Sequence, residues 1–393
     1  MSKLLSRQGV RDLFLGLGLL CATLALMFWP QEAMEAAREG LRLCYNVILP
    51  SLFPFFVLSA LVVDLGLAGY LGRALEGLMR PLFHVPGACA SALVLGFVGG
   101  YPVGARTALS LYQKGMCTKT EAERLLSFCN NSGPAFILGV VGAGIFASSR
   151  VGVLLCLTHA AASVCVGLLF RFYRSGDRGR DRRSAPTFGA ERFSAAFTGA
   201  VKNAFLSTLN ICAFVVFFTV AIKLLFLSGV LSSLAEGLGF LLAPLGFSPR
   251  WAERLLTGLI ELTSGVWTLT GAGTMSGKVS MAAFLLGWAG LSVHCQVLSF
   301  LGGSGLSVRT YIGGKLLHGG LSALFTALLL RFFPLEEPVA AYLSEQVEGI
   351  AQVDFSSALT ISLAAAWGMW LLFFLAAAAA VGKTSRKRRK GVV

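Results

Sequence analysis

"VLGFVGGYPVGART" runs from Val94 to Thr107 in a chain of 393 residues that is 55% hydrophobic, with a mean hydropathy of +0.74. A helix that crosses a bilayer favours leucine, yet here Gly99, Gly100, Pro102 and Gly104 surround Tyr101. Each glycine and the proline weakens a helix. In hydrocarbon, a broken backbone is tolerated only where protein or a water-filled cavity receives its freed polar groups. The stretch is therefore either a packing device or the lining of a site.

Its surroundings are those of a membrane protein. Only 13% of the residues are charged, against roughly 25% in a soluble domain. Uncharged runs cover Leu13–Trp29, Leu43–Val63, Val151–Phe170, Asn203–Ile222 and Phe355–Gly382, and a spanning helix needs about 20 residues. The expected fold is an all-α polytopic membrane protein with one flanking transmembrane helix at each end. Leu13–Trp29, flanked by Lys3, Arg7 and Arg11, has the outline of a signal peptide. It is long for one and has no A-x-A before Pro30, so a retained helix over residues 1–30 is expected.

The net charge of +14 raises the question of nucleic acid. The basic residues, however, are clustered: Arg171–Lys202 holds eight Lys or Arg against three acids, and the tail Lys383–Lys390 reads "KTSRKRRK". In a polytopic chain such clusters mark cytoplasmic segments, and no nucleic-acid-binding fold accompanies them. The tail also suits anionic lipid headgroups. Nine cysteines include no C-x-x-C pair, and Cys21, Cys156, Cys165 and Cys212 lie in apolar runs. They read as small hydrophobes, with no disulfide framework, metal site or cofactor expected.

The N-terminus, Arg171–Lys202 and the tail are assigned to the inside. Gln31–Asn46 and Pro334–Asp354 lack a basic excess and are assigned to the outside. Between these markers the chain matches itself in order. "GYLGRALEGL" (Gly69–Leu78) matches "GVLSSLAEGL" (Gly229–Leu238), and "LGFVGGYPVG" (Leu95–Gly104) overlies "TGLIELTSGV" (Thr257–Val266). "LSFCNN" (Leu126–Asn131) overlies "LSVHCQ" (Leu291–Gln296), and the stretch ending at Tyr173 resembles that ending at Phe333, with His159 near His318. The first repeat starts outside and ends inside, and the second does the reverse. Inverted repeats with interrupted helices at corresponding places are the signature of secondary transporters. The expected organisation is a helix over 1–30, repeat 1 over 41–173, a basic cytoplasmic loop over 174–202 and repeat 2 over 203–333. An acidic outside loop over 334–354, a helix over 355–382 and a basic tail over 383–393 follow.

The first repeat has a second interruption, "SFCNNSGP" (Ser127–Pro134), preceded by a helix that Thr118 or Thr120 can cap, with Glu121 and Glu123 in its first turn. Asn130, Asn131 and Ser132 would then lie at a helix end, satisfying the broken backbone or presenting amides and a hydroxyl to a polar ligand. In the second repeat Glu261 stands in an apolar stretch, which marks either a functional site or a pair with a cation such as Arg106. Thr263, Ser264 and Gly265 follow it, opposite Tyr101, Pro102 and Val103. His294 and Gln296 fall opposite Asn130 and Asn131 within one residue, whereas His84, His159 and His318 carry little weight. Glu261 and His294 are the candidates for proton coupling. Free N–H groups at helix N-termini suit an anion, and so does Arg106. In this reading Gly100 and Gly104 let Thr263–Gly265 approach closely, while Tyr101 stacks on a planar substrate ring.

"LPSLFPFF" (Leu49–Phe56), "GYPVGA" (Gly100–Ala105) and "RLLSFCNNSGP" (Arg124–Pro134), together with the stretch ending at Tyr173, resemble the YlbJ-type sporulation membrane proteins of the nucleoside-recognition, or Gate, group. The resemblance covers about Leu41 to Phe333. It implies an endospore-forming host, a role in moving dipicolinate from the mother cell across the outer forespore membrane, and two inverted repeats with broken helices. Related Gate proteins bind or carry nucleosides or ions, which is the alternative. The partners expected are thus a small anionic substrate and the lipid bilayer, with a homo-oligomer left open. An enzyme is the competing class, but H-E-x-x-H, G-x-S-x-G and paired aspartates within spans are all absent, and Cys156 with His159 is too weak a constellation for nucleophilic catalysis. An assembly protein would explain packing glycines but not polar breaks at matched places.

Overall fold

A computed structural model describes residues 7–65, 67–174, 190–246, 248–270 and 273–334. Most of the loop over 174–202, nearly all of the acidic loop over 334–354, the helix over 355–382 and the basic tail fall outside the described residues. The described residues form fifteen α-helices and no strand. The chain begins with α1 (Arg7–Phe28), α2 (Pro30–Leu43), a π-helical turn (Cys44–Ile48) and α3 (Leu49–Asp64). It continues through α4 (Leu67–Phe83), α5 (Ala90–Gly99), α6 (Val103–Gln113), α7 (Lys119–Leu126), a π-helical run (Ala135–Ile145) and α8 (Ser149–Phe170). Then come α9 (Ala190–Leu227), α10 (Val230–Leu242), α11 (Pro249–Ile260), α12 (Leu262–Trp267), α13 (Met275–Trp288), α14 (Gly290–Leu301) and α15 (Val308–Phe332). Among the described residues, five helical stretches are long and apolar enough to cross a membrane, or six when the pair Gly72–Phe83 and Gly87–Gly99, bent by 93°, counts as one. This is an all-α, multi-pass membrane protein.

The run Leu43–Val63 is less regular than its hydropathy suggests. Pro50 and Pro54 have no N–H to donate, and the helix passes through a π turn before α3. The acidic stretch Gln31–Asn46 is helical, not a loop, from Pro30 on. Ala33, Ala36 and Gly40 are its buried residues, and a Cβ on Gly40 would lie 3.0 Å from the Val216 backbone, which seats α2 on α9.

The break at Val94–Thr107 is real. α5 ends at Gly99, Gly100 takes φ +74°, the Tyr101–Pro102 peptide is cis, and α6 starts at Val103. With 10 and 11 residues, each helix is about 15 Å long, half of a hydrocarbon core of about 30 Å. They fold back on each other: a Cβ on Gly104 would sit 3.0 Å from the Gly96 Cα. A second hairpin forms from α11 and α12, where a Cβ on Gly265 would lie 2.2 Å from the Gly258 Cα.

The glycines do not join the two hairpins, contrary to expectation. A Cβ at either Gly96 or Gly104 would lie 1.9 Å from the Cys129 carbonyl oxygen, and one at Gly100 would lie 3.0 Å from the Gly133 nitrogen. The first break therefore packs on Ser127–Pro134 in the same half of the chain, and Thr263–Gly265 packs within its own hairpin. The reason is local. Both segments that lack regular backbone in the first half lie within 35 residues of each other in the chain, and the close approach of one backbone to the other needs positions without Cβ.

Part of the second half has the same order of elements as part of the first. α4, a 3₁₀ turn (Gly87–Cys89), α5, a break and α6 are answered by α10, a 3₁₀ turn (Ala243–Leu245), α11, a break at Glu261 and α12. The correspondence fails at Leu126–Asn131. There the first half is unwound, whereas His294 and Gln296 lie inside α14, and the second half's interruption sits earlier, at Ala289–Gly290. The core is shared between halves. Val293, Val297, Leu301 and Tyr311 pack with Phe83, Leu93, Leu125 and Phe128 in one buried cluster.

Candidate functional site

The unwound stretches of the first half converge on a lysine that the sequence analysis did not single out. Lys315, on α15, is 1% exposed. Its Nζ donates to the Tyr101 hydroxyl at 3.1 Å and the Asn130 carbonyl at 2.9 Å, and lies 3.4 Å from His318 Nδ1. It also lies 4.7 Å from the Tyr101 ring centroid, over the ring. Among the described residues it has no carboxylate partner. The Tyr101 hydroxyl in turn donates to the Leu286 carbonyl on α13. The α5–α6 turn is thereby tied to both α13 and α15.

Around Lys315 the polar groups form a chain. His318 Nε2 is 2.9 Å from the His159 carbonyl. A carbonyl only accepts, so Nε2 carries the proton and Nδ1 offers its lone pair to Lys315. His159 Nε2 accepts the Ser132 N–H at 3.0 Å, and its buried Nδ1 has no partner among the described residues. The two imidazoles lie 4.3 Å apart. Asn130 receives the Ala105 N–H on Oδ1 and donates to the Tyr311 hydroxyl, both at 3.4 Å. That hydroxyl also lies 3.1 Å from His294 Nδ1. Asn131 donates to the Phe128 carbonyl at 3.0 Å, and its buried Oδ1 has no partner among the described residues.

Tyr101, Asn130 and Ser132 are thus brought together, Asn131 lies beside them, and His294 joins through Tyr311. His159 and His318, given little weight from sequence, stand at the centre. The repeat match that aligned them was the available signal. Lys315 was legible as a lone cation in the apolar helix "YIGGKLLHGG" (Tyr311–Gly320), by the same reasoning that marked Glu261.

Glu261 is placed differently from either sequence reading. Its carboxylate accepts the N–H groups of Thr263 at 2.9 Å and Ser264 at 2.6 Å, capping α12. It does not pair with Arg106. The helix N-terminus that was to meet an anion is already filled by its own carboxylate, because a glutamate at the N-cap reaches the orphan N–H groups directly.

Arg106 and Gln296 lie elsewhere, in a cavity of about 270 Å³. Its walls include Phe56 of α3, Pro102 at the start of α6, Asn203, Ser207 and Asn210 of α9, and Ser299 of α14. Pro102 belongs to this wall while its neighbour Tyr101 reaches Lys315, so the Tyr101–Pro102 turn borders both sites. Among the described residues, no three His, Cys, Asp or Glu are grouped as a metal would need.

The Gate family, described as nucleoside recognition, matches residues 46–213. The sporulation integral membrane protein YlbJ of Bacillus subtilis (strain 168) is 31% identical over 331 residues, covering 79% of this chain and 80% of the relative. The chain belongs to the YlbJ family of sporulation integral membrane proteins. An uncharacterised protein of Alkalihalophilus pseudofirmus is 31% identical over 109 residues, 27% of this chain and 23% of that one. Among solved structures, a CNTnw variant in an outward-facing state aligns with TM-score 0.43 and 14% identity over 85% of this chain and 89% of its own. Another in an intermediate state aligns with TM-score 0.40 and 16% identity over 82% and 87%. These last are likenesses of outline. For the YlbJ family member described here, the matched Gate region contains both α5–α6 and the Ser127–Pro134 break.

Proposed function

We propose that the protein carries a small anionic metabolite across the membrane, and that this metabolite is dipicolinate, moved across the outer forespore membrane of a sporulating bacterium. The observation that carries the reading is Lys315, a buried cation held by a hydroxyl, a carbonyl and an imidazole. Such a group is costly to bury without an opposite charge, and a substrate carboxylate supplies one. Lys315 binds the carboxylate, Tyr101 orients the ammonium and gives it a ring face, and Asn130 anchors it through the backbone. His318 holds the lysine from the other side. Two hairpins at corresponding places, with the alternating charge pattern of the chain, support repeats over 41–173 and 203–333 in inverted orientation. Membership of a sporulation membrane protein family supports the biological setting. The reading is of a carrier and not of an enzyme.

A nucleoside carrier is the second reading. The description of the Gate family favours it, as do the amides of Asn203, Asn210 and Gln296 around one cavity, since amides pair well with base edges. Uptake by proteoliposomes containing the full chain separates the two. Labelled dipicolinate should enter saturably, and Lys315→Met should lower the initial rate at least about tenfold, as expected for loss of a charge-assisted contact. Uptake of labelled uridine without uptake of dipicolinate would reverse the assignment.

A further inference from the structure

We propose that the Arg106 cavity is a second anion site, shaped for a small planar carboxylate and separated from Lys315 by the Tyr101–Pro102 turn. Arg106 has no carboxylate partner among the described residues; its guanidinium lies 5.7 Å from the Phe56 ring centroid, over the ring. A guanidinium is a planar fork that matches a carboxylate through two parallel hydrogen bonds. Phe56 and Phe300 give the cavity flat apolar walls. Asn203, Ser207 and Asn210 stand one helical turn apart along α9 and face the same space, with Gln296 and Ser299 across from them. Asn210 already donates to the Ser299 hydroxyl at 2.7 Å, which fixes its amide. At about 270 Å³ the space lies just below the roughly 300–1,000 Å³ of drug-sized pockets, which suits a single ring with its carboxylate. Among the described residues, no acidic side chain lines it.

The two cations then form successive stations. An anion held at Arg106 then passes the Tyr101–Pro102 turn, which borders both sites, to reach Lys315. This order of stations rests on the transport reading above, but anion binding at Arg106 does not.

The test measures binding and uptake separately. The probes are pyridine-2-carboxylate and its uncharged amide, titrated calorimetrically against the full chain in lipid nanodiscs. Wild type should bind the carboxylate and not the amide. Arg106→Gln should weaken that binding at least about tenfold, Arg106→Lys less, because the point charge remains but the fork is lost. Asn203→Leu should weaken it with Arg106 intact. Lys315→Gln should keep Arg106-dependent binding while losing dipicolinate uptake. Each variant is first shown to elute and melt as wild type, and Arg106→Lys serves where Arg106→Gln does not fold. Equal binding by wild type, Arg106→Gln and Asn203→Leu would overturn the proposal, as would loss of all binding in Lys315→Gln. If wild type binds the carboxylate through Arg106 but takes up no dipicolinate, the transport reading falls and the site stands.

Discussion

At the scale of single residues, Val94–Thr107 divides into two roles. Its glycines pack backbone on backbone, whereas Tyr101 belongs to the polar centre. These roles respond differently to substitution. Gly104→Ala places a methyl group 1.9 Å from the Cys129 carbonyl oxygen, an overlap that only backbone movement relieves, at a cost of about 1–3 kcal/mol or more. The expected outcome is a sharp fall in detergent-extractable folded protein. Gly77→Ala at an exposed position of α4, with nothing within 4 Å of the added methyl, should be neutral or stabilising by up to about 1 kcal/mol. Tyr101→Phe keeps the ring under Lys315 but removes the hydroxyl that joins it to Leu286 and Lys315. It should leave protein level and melting temperature near wild type while lowering uptake. Normal uptake by Tyr101→Phe would limit the residue to packing.

At the scale of elements, two carboxylates do structural work at helix N-termini. Glu261 caps α12, and Glu261→Ala should lower stability by about 1 kcal/mol, as loss of a good N-cap does. A melting-temperature fall with uptake retained supports this assignment; lost uptake with an unchanged melting temperature would return Glu261 to a coupling role. Glu123, fully buried, accepts the Ser307 N–H at 2.8 Å just before α15 and the Tyr173 hydroxyl at 3.1 Å just after α8. It thus ties α7 to both long helices that carry His159 and His318. Beside it, Arg124 donates to the carbonyls of His84, Tyr173 and Arg174, just past the C-terminal ends of α4 and α8. Cations suit those carbonyl-rich ends.

At the scale of the whole molecule, topology and physiology are open to direct measurement. A cysteine introduced at Ser344, in a background without the nine native cysteines, should react with impermeant reagent from the outside only. One introduced at Ser184, in the basic loop, should react from the cytoplasm. Labelling of both from the same side would remove the inverted arrangement of the repeats. In a spore-forming host, deletion of this protein should leave dipicolinate synthesis intact and the spore core poor in it. A core with normal content, in a strain shown to lack a compensating carrier, would reject the substrate.

Much of the architecture was legible because it depends on neighbours in sequence. Low charge and long apolar runs decide that the chain enters lipid. Gly100 and Pro102 break a helix whatever surrounds them, and Thr118 caps α7 through Glu121, three residues on. The centre was not legible in that way. Lys315 meets Tyr101 across 214 residues and Asn130 across 185, and His318 meets the His159 carbonyl across 159. Arg106 faces Asn203 and Gln296 only after α6, α9 and α14 have packed. No local periodicity encodes such distances. Sequence alone therefore determined the break at Gly100–Pro102 and which segments lipid accepts. Only the tertiary structure decided which polar groups fill each bend, since burial leaves a freed donor or acceptor to whichever partner packing brings within reach.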